Sequence, residues 1–459
     1  MEPTSPAVTP EPDSGQESIR STPLSRMAAL VGAGASVGMN YLKYYGKRAV
    51  SSGTPASATA AREALDEANA SRIYETFSQL KGGPLKLAQM LSMDDQLLPA
   101  AYAAQFSQAQ YSAPPLSWPL VRRTIEREFR QPVESLFDQF TPNAAHGASI
   151  GQVHRAVLHG RDVAVKVQYP GVAESLTSDL RVVKPIALQM LGVRESDVAH
   201  YFKEVEARLL EETDYAMELR RSGELATACA GLENVRFPAF HSNRCSDRVL
   251  TMDWIDGQLL DRFADGPATQ TERNQIGQAL WDFYDYQVHT LLLFHADPHP
   301  GNFIVRENQL WVLDFGCTRA ITRKFHDCNF ALLDPAVLHN EAAFQTALQD
   351  LDILLPQDAA ADTAKITALV HQSIDLLAKP LRSSTFDFAD PAFMKAIYDL
   401  GETNRKDKTL RHLRGARGPA ESIYLNRAYF GLYSLLHRLR AEVRTNLATT
   451  VNVDQALEL

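Results

Sequence analysis

Three polar side chains near the middle of the chain combine residue types and spacings that suit one kind of chemistry. Asp297 and Asn302 lie five residues apart in the segment HADPHPGN, and Asp314 opens an Asp-Phe-Gly triplet. ATP carries its charge on the triphosphate, so Mg²⁺ needs carboxylate and amide oxygens on rigid loops, and another carboxylate must meet the acceptor hydroxyl. The pattern predicts phosphoryl transfer, with Asp297 as the catalytic base and Asn302 and Asp314 as magnesium ligands.

The two segments have the spacing of protein-kinase catalytic loops. The D-x-x-x-x-N spacing and the Asp-Phe-Gly triplet both occur in those enzymes. The apolar run Leu310–Leu313 between them predicts a short strand that holds the two loops back to back. The alternative is a polar turn followed by an Asp-Phe-Gly triplet that arose by chance.

A lysine upstream completes the set. Residues 163–166, VAVK, match the V-A-I-K strand whose lysine reaches the α- and β-phosphates of ATP. Such a lysine needs a carboxylate partner, and as isolated residues the downstream acids would be ordinary exposed charges on a helix. Given the lysine strand and the two loops, we predict that Glu218 pairs with Lys166. The acidic residues available there are Glu211, Glu212, Asp214 and Glu218.

Composition sets limits on the function. The chain has 459 residues, 45% of them hydrophobic and 22% charged, which predicts a globular protein with two lobes or two domains. The net charge of -9 and the pI of about 5.8 exclude a global basic field, so we expect no nucleic-acid partner. Four cysteines without metal-ligand spacing predict buried, reduced thiols: Cys229, Cys245, Cys317 and Cys328.

The N-terminal region has two parts. Residues 1–25 are rich in Pro, Ser, Thr and Glu, which predicts a disordered tail and neither a secretory signal nor a mitochondrial transit peptide. Residues 27–42 are apolar with basic flanks. A helix of this length reaches only about 24 Å, short of a ~30 Å hydrocarbon core. Two alternatives stay open: an interfacial or marginally spanning helix, and a helix packed on the protein's own surface.

Hydrophobic periodicity predicts the order of elements. Helical sequence at the N-terminal side gives way to a hairpin, a helix and a connecting strand, and then to helices up to the C-terminus. The predicted elements are a helical stretch over 62–99 broken at 82–84, a helix over 118–129, a hairpin over 150–168, a helix over 198–224, a strand over 249–254, a helix over 271–292, and mostly helices after residue 316, with 424–443 the clearest.

Several motifs in the same order resemble the AarF/UbiB family of atypical kinase-like proteins. The segments are SIGQVHRA at 149–156, VAVKVQYPGV at 163–172, EETDYAMEL at 211–219, HADPHPGN, DFG, and KLAQ at 86–89, which is similar to the K-x-G-Q motif of the family. The resemblance covers about residues 70–330 well. The YPGV and DFGCTRAI segments most resemble the branch that acts in ubiquinone biosynthesis.

The resemblance implies an α+β, protein-kinase-like, two-lobed fold with an N-terminal helical extension across the active site and a mostly helical C-lobe. The implied boundaries are 1–25 for the tail, 26–48 for the membrane-associated or surface helix, 60–130 for the extension, 131–256 for the N-lobe and 257–459 for the C-lobe.

The resemblance also implies residue roles. Lys86 and Gln89 belong to the extension motif and reach toward Glu212 and Asp214. Lys166 and Glu218 form the nucleotide ion pair. The implied nucleotide-binding residues, to which we add Asp253 at the end of the connecting strand, are Ser149, Ile150, Gly151, Gln152 and Lys166.

Two motifs depart from the family pattern. Ala88 replaces the usual glycine of the extension motif, so the extension helix is expected to sit slightly differently. His146 and Gly147 replace the first two alanines of the usual A-A-A-S, and ordinary kinases have G-x-G-x-x-G in this loop. A glycine here restores some backbone freedom near the phosphates.

We therefore expect an atypical kinase or ATPase that uses ATP and Mg²⁺ and supports ubiquinone synthesis or lipid homeostasis. Its expected partners are a membrane lipid or an isoprenoid quinone precursor, together with other proteins of quinone biosynthesis. The expected location is cytoplasmic, peripheral or marginally anchored at the inner membrane, or at an organellar membrane in a eukaryote. The alternatives are a small-molecule phosphotransferase of the aminoglycoside or choline type, and a nucleotide-binding pseudokinase scaffold.

Overall fold

The computed structural model describes residues 26, 28–32, 36, 39–40, 43, 55–80, 84, 105, 115–148, 150–191, 203, 206–207, 209–406 and 417–445. The predicted tail over 1–25 lies outside these residues, as do Lys86, Ala88, Gln89 and Ser149. The chain divides into two compact units, one formed by Met1–Ala216 and Phe240–Trp254 and the other by Met217–Ala239 and Ile255–Leu459.

The first unit contains an antiparallel sheet. Its strands follow the order β1-β3-β4-β6, and β2 pairs with β3. The predicted hairpin is confirmed, because β3 and β4 are joined at His159 and Gly160, which both have positive φ, 51° and 72°. The strands are β1 (Gln139–Phe140), β2 (His146–Gly147), β3 (Gly151–Leu158), β4 (Arg161–Gln168) and β6 (Val249–Asp253).

Helices accompany this sheet. The predicted helix over 118–129 is confirmed, and it buries Val121 and Ile125 one turn apart. The helix over Val172–Leu191 was not predicted, although Leu176, Leu180 and Val183 are buried at helical spacing. The helices are α1 (Pro55–Leu80), α2 (Trp118–Phe129), α3 (Val133–Leu136) and α4 (Val172–Leu191).

Short strands in the second unit frame its central loops. A four-stranded sheet has the order β5-β10-β9-β7, and two ribbons pair β8 with β11 and β12 with β13. The strands are β5 (Val235–Arg236), β7 (Gln258–Leu259), β8 (Leu293–His295), β9 (Phe303–Arg306), β10 (Gln309–Val312), β11 (Thr318–Ala320), β12 (Thr385–Asp387) and β13 (Glu442–Arg444). The predicted strand before Asp314 is thereby confirmed as β10.

Most of the second unit is helical. Its helices are α6 (Leu260–Asp265), α7 (Gln270–Tyr286), α8 (Arg323–Ala331), α9 (Pro335–Leu338), α10 (Glu341–Asp350), α11 (Ala360–Leu377), α12 (Pro391–Lys406) and α13 (Ala420–Leu439), and α5 (Tyr215–Ala228) begins two residues before the unit does.

Helix α7 lies at the centre of the second unit. A capping box of Thr269 and Glu272 fixes its start, and Ile276, Leu280 and Phe283 are completely buried on one face. One π-helical turn, Gln287–Leu291, continues it toward β8. The predicted helix over 271–292 is thus confirmed, with its last turn in π geometry.

The structure corrects two helix predictions. The helix predicted over 424–443 ends at Leu439, because Arg440 has φ 53° and Val443 pairs in the β12–β13 ribbon. That ribbon and β11 interrupt the region after residue 316, which is mostly helical, as predicted. The helix predicted over 198–224 is interrupted, since Thr213 and Asp214 form a turn before α5.

The four cysteines are free thiols, as predicted. Cys229 and Cys317 are buried, and burial raises the pKa of the Cys229 thiol to about 12, whereas Cys245 and Cys328 are only half-buried. Among the described residues, no helix is both long enough and apolar enough to cross a membrane.

Candidate active site

Two loops of the second unit carry the predicted catalytic and magnesium residues. One loop runs from β8 to β9 and contains Asp297 and Asn302, and the other runs from β10 to β11 and contains Asp314. Both ends of the loops are paired: β9 lies antiparallel to β10, and β8 lies antiparallel to β11. The strands therefore fix the entry and exit of each loop against the other.

Two backbone hydrogen bonds join the loops directly. The N–H of Leu313 donates to the carbonyl of Asn302 at 2.9 Å, and the N–H of Ala296 donates to the carbonyl of Cys317 at 2.8 Å. Phe315 of the Asp-Phe-Gly triplet is completely buried and packs on Phe237, with ring centroids 5.7 Å apart. The loops therefore lie back to back, as the sequence predicts, and an apolar anchor holds the second one.

The two predicted magnesium ligands are both held by hydrogen bonds. The amide nitrogen of Asn302 donates to the carbonyl of Asp297 at 3.0 Å, so the amide oxygen is the atom left to act as a ligand. One carboxylate oxygen of Asp314 accepts from the N–H of Gly316 at 2.7 Å. These bonds orient both side chains before any ligand binds.

Glu218 lies beside the same triplet. Its side chain is buried on the first turn of α5. A Cβ placed on Gly316 would lie 3.2 Å from an Asp314 carboxylate oxygen and 3.8 Å from a Glu218 carboxylate oxygen. Two carboxylates therefore converge on a residue without a side chain, and such a concentration of negative charge favours a cation.

This donor set fits Mg²⁺ that arrives with a nucleotide. In the described part of the chain, no group of three or more His, Cys, Asp or Glu side chains forms a metal site. Mg²⁺ often keeps several waters and takes only one or two protein carboxylates together with substrate phosphates. The amide oxygen of Asn302 and the carboxylate of Asp314 supply oxygen ligands of that kind.

Asp297 is partly exposed and pairs with an arginine that the sequence analysis missed. Nη2 of Arg427, on α13, lies 3.2 Å from Oδ1 of Asp297, and the two side chains are 26% and 19% exposed. Arg427 belongs to no motif and lies 130 residues beyond Asp297 in the chain. No spacing pattern in the sequence could have indicated this pair.

Buried polar residues support the start of the first loop. The N–H of His295 donates to the side-chain oxygen of Gln287 at 2.9 Å, and the hydroxyl of Tyr284 lies 3.3 Å from Nδ1 of His295. Burial raises the pKa of Tyr284 well above its usual range, and the charge of Asp297 contributes. The tyrosine therefore remains a neutral hydrogen-bonding group beneath the loop.

In the first unit, Lys166 lies on β4 above an aromatic ring. Its Nζ is 5.0 Å from the ring centroid of Tyr215, a cation–π distance. Gly151 lies close to the same tyrosine, because a Cβ there would lie 2.5 Å from the carbonyl of Val167 and 2.9 Å from the Tyr215 hydroxyl. Only glycine fits at this close approach of β3 to β4.

Two predicted nucleotide-binding residues make other contacts in the first unit. The side chain of Gln152 is completely buried, accepts from the N–H of Leu116 at 2.7 Å and lies 2.9 Å from His154. The carboxylate of Asp253 lies 3.0 Å from Nε2 of His241. Ile150 is buried at the start of the sheet.

Some predicted pairs stay predictions. Lys166 belongs to the first unit and Glu218 to the second, so their pairing remains a prediction. Glu212 is half-buried and Asp214 is exposed, but the extension motif expected to meet them lies outside the described residues.

The chain is similar to a known protein family and to individual known proteins. The sequence model of the ABC1 atypical kinase-like domain matches residues 108–347. The atypical kinase coq-8 of Caenorhabditis elegans, a mitochondrial protein, is 28% identical over 83% of this chain and 50% of its own length. The mitochondrial atypical kinase COQ8B of Rattus norvegicus is 28% identical over 94% of this chain and 80% of its own length.

Other relatives are matched over a shorter part. The uncharacterized protein sll1770 of Synechocystis is 33% identical over 52% of this chain and 42% of its own length. The matched region thus spans half or less of sll1770 and of coq-8. The structure of Rv3197 of Mycobacterium tuberculosis, solved with erythromycin, has a TM-score of 0.58 at 23% identity and covers 85% of this chain and 97% of Rv3197.

The Rv3197 likeness supports the predicted α+β, kinase-like fold, and the domain match covers the motifs other than KLAQ at 86–89. The matched region, 108–347, contains Lys166, Glu218, Asp297, Asn302 and Asp314. It covers slightly more than half of the 459 residues. The chain therefore belongs to the ABC1 atypical kinase-like family, the AarF/UbiB family that its motifs resemble.

Proposed function

We propose that this protein is an ATP- and Mg²⁺-dependent atypical kinase or ATPase that supports the synthesis of an isoprenoid quinone, such as ubiquinone, at a membrane. One observation carries the proposal. The loops of Asp297 and Asp314 are joined by backbone hydrogen bonds of 2.9 and 2.8 Å, so a base and two magnesium-type ligands share one rigid frame. Catalysis of phosphoryl transfer is mostly positioning and charge stabilisation, which such a frame supplies.

Each side chain has a distinct part in this proposal. Lys166, held by Glu218, contacts the phosphates, and Asn302 and Asp314 hold Mg²⁺. The metal would neutralise part of the triphosphate charge. Asp297 orients the acceptor, which is water or a hydroxyl group, and accepts its proton.

The nucleotide site is tested with Asp314→Asn. In wild-type protein, ATP should raise the melting temperature only when Mg²⁺ is present, because a ligand that binds only the folded state stabilises it. The variant should lose this magnesium-dependent increase. Asp265→Asn, an exposed carboxylate of α6, is the matched control and should keep it. Equal stabilisation of wild type and Asp314→Asn would refute the site.

The quinone pathway rests on the resemblance of the YPGV and DFGCTRAI segments to the ubiquinone branch of the family. The test is ATP turnover by the purified protein with plain vesicles and with vesicles that contain a phenolic isoprenoid. Turnover should rise with the phenolic isoprenoid and fall to background in Asp297→Asn. Equal turnover on both kinds of vesicle would contradict the choice of an isoprenoid substrate.

A peripheral membrane contact is the third part of the proposal. Arg26 and Leu30 are fully buried, and Arg26 pairs with Asp179 at 2.6 Å, which supports a segment packed on the protein. Val31 and Met39 are 54% and 52% exposed on the same segment. Exposed apolar side chains next to basic residues favour the interface of an anionic bilayer.

Point variants test this contact better than a deletion, because a deletion would leave the buried Asp179 without its arginine. Val31→Asp combined with Met39→Asp should move the protein from the pellet to the supernatant when it is sedimented with anionic vesicles. Ile423→Asp is the control, since Ile423 is a comparably exposed apolar residue at 53% on α13. Unchanged sedimentation of the double variant would favour a helix that only packs on the protein.

A further inference from the structure

Helix α13 lies directly against the loop that carries Asp297. Arg427 contacts the Asp297 carboxylate at 3.2 Å. One turn later, Gly431 faces the next residue of the loop, and a Cβ placed there would overlap Cγ of Pro298 and lie 2.9 Å from its Cβ. Two separate contacts, one polar and one steric, therefore join the same face of the helix to two consecutive loop residues.

The same helix face also reaches the segment after Asp-Phe-Gly. The guanidinium of Arg319, on β11, lies 4.9 Å from the ring centroid of Tyr424 on α13. Tyr424, Arg427 and Gly431 follow one another at intervals of three and four residues, which places them on one stripe of the helix. The helix therefore packs on the loop of Asp297 and on the strand that follows the loop of Asp314.

Arg427 supplies a positive charge that the loop of Asp297 does not contain. Residues 295–302, HADPHPGN, include no lysine and no arginine, so a fixed positive charge next to Asp297 has to come from another element. A guanidinium presents its donors in a rigid plane and orients a carboxylate better than a flexible lysine does. The match to the family domain ends at residue 347 and does not include α13.

We propose that Arg427 is a positioning residue that holds the carboxylate of Asp297 in the orientation needed to accept the proton of the acceptor. The inference rests on the proposed function. As the acceptor oxygen forms its bond to the terminal phosphorus of ATP, the bridging P–O bond breaks, ADP leaves and the acceptor proton passes to Asp297. Arg427 acts through Asp297, and the absence of a side chain at Gly431 lets α13 approach closely enough.

The experiment measures kcat for ATP turnover and the thermal shift with Mg-ATP in four variants and in Asp297→Asn as the reference. Arg427→Ala should lower kcat by about 10- to 100-fold, the scale expected when a reacting group is misplaced by about 1 Å. Its thermal shift should match that of wild type. Arg427→Lys should recover part of kcat. Arg438→Ala, which removes another arginine–aspartate pair of the same helix at 2.6 Å, should change neither quantity.

The fourth variant combines Arg427→Ala with Asp297→Asn. If Arg427 works only through Asp297, the double variant should turn over ATP as slowly as Asp297→Asn alone, because the second change has nothing left to disturb. If Arg427 had only a structural role, its removal would lower ATP turnover further in the double variant. Additive losses, or equal losses of kcat and of the Mg-ATP thermal shift in Arg427→Ala, would overturn the inference.

The controls separate this inference from the proposed function. If Asp297→Asn keeps wild-type turnover, the proposed function and the role of Arg427 both fall. If Asp297→Asn loses turnover while Arg427→Ala keeps it, only the role of Arg427 falls. Should Arg427→Ala not fold, Arg427→Gln, which keeps a planar donor group of similar length, is subjected to the same comparison and the same criteria.

Discussion

Two groups of carboxylates in the second unit differ in what surrounds them. The loop group consists of Asp297 and Asp314, where an arginine contacts the first and a backbone N–H donates to the second. The helix group consists of Asp282 and Asp285 on α7, with His289 on the following π-helical turn. Asp285 is buried, and its neighbour His289 lies 3.7 Å away.

The helix group responds to its surroundings by changing its proton affinity. Burial, and secondarily the charge of Asp282, raises the pKa of Asp285 to about 7, and burial raises the pKa of Asp282 to about 6. Burial and the neighbouring His326 lower the pKa of His289 to about 4. Between about pH 4 and pH 7 the 3.7 Å contact of Asp285 with His289 therefore joins two mostly neutral groups rather than an ion pair.

The surroundings, rather than the type of side chain, separate the two groups. The loop carboxylates are oriented for ligands by an arginine and a backbone N–H, whereas the helix carboxylates mainly make stability depend on pH. Each of the following variants changes a residue of one group and tests the property expected of that group.

The largest effect is expected for Asp297→Asn. ATP turnover should fall by about 10²- to 10⁴-fold, the usual contribution of a general base, while the affinity for Mg-ATP stays near that of wild type. Asp285→Asn is the matched control from the helix group and should keep most of the turnover. Steady-state kinetics and ATP titration measure both quantities, and equal turnover in Asp297→Asn and wild type would remove the distinction between the groups.

Asp285→Asn should change how stability depends on pH. In the folded protein Asp285 binds a proton up to about pH 7, whereas in the unfolded chain it releases the proton near its ordinary value of 3.8. Protonated Asp285 therefore stabilises the folded state fully below pH 3.8. This contribution is lost as pH rises from 3.8 toward 7, at about 1.4 kcal/mol per pH unit for one proton. The variant should lack this decline.

Urea unfolding between pH 4.5 and 7.5 measures the effect of Asp285→Asn. The free energy of unfolding of the variant, relative to wild type, should increase steadily over this interval. A constant difference between the two proteins would show that Asp285 is ionised in the folded state.

His289→Gln should change the slope in the opposite sense. The folded protein keeps His289 neutral down to about pH 4, whereas the unfolded chain binds a proton near 6.5, so this histidine stabilises the fold above pH 6.5 and the contribution is lost as pH falls toward 4. The variant should therefore lose less stability than wild type on acidification. The same urea series tests it, and a steeper loss in the variant would contradict the assignment.

Asp282→Asn should have the smallest effect. Burial raises the pKa of Asp282 only to about 6, because the Gln278 side chain donates to it at 2.7 Å and Arg444 opposes the shift. The decline in stability that it causes should therefore end near pH 6, one unit below that of Asp285. In the Asp285→Asn variant, the contribution of Asp282 to the pH dependence remains. If the free energy of unfolding of that variant still declines up to pH 7, Asp282 lacks these compensating partners.

Much of the local structure could be predicted from the sequence. The hairpin of β3 and β4, strand β10 and helix α7 all have a strong period of hydrophobic residues, or a turn at His159 and Gly160. Helix α4 was missed despite its buried leucines. The C-terminal ribbon was missed because the helical pattern of α13 continues past Leu439, where the left-handed backbone of Arg440 ends the helix.

The side chains that can do chemistry, and their spacing along the chain, could be identified from the sequence. The spacing of Asp297, Asn302 and Asp314 follows from a loop, a strand and a second loop, which are all local features. Local spacing depends on backbone geometry that is the same in every protein, so it can be read without the fold.

The environment of these side chains depends on tertiary packing. The contact of Arg427 with Asp297 joins residues 130 positions apart, and the approach of Glu218 to Gly316 depends on how α5 packs in the second unit. The raised pKa of Asp285 arises from burial of a helix face. Long-range packing and desolvation are properties of the assembled core, and no sequence interval records which polar groups that core will bring together.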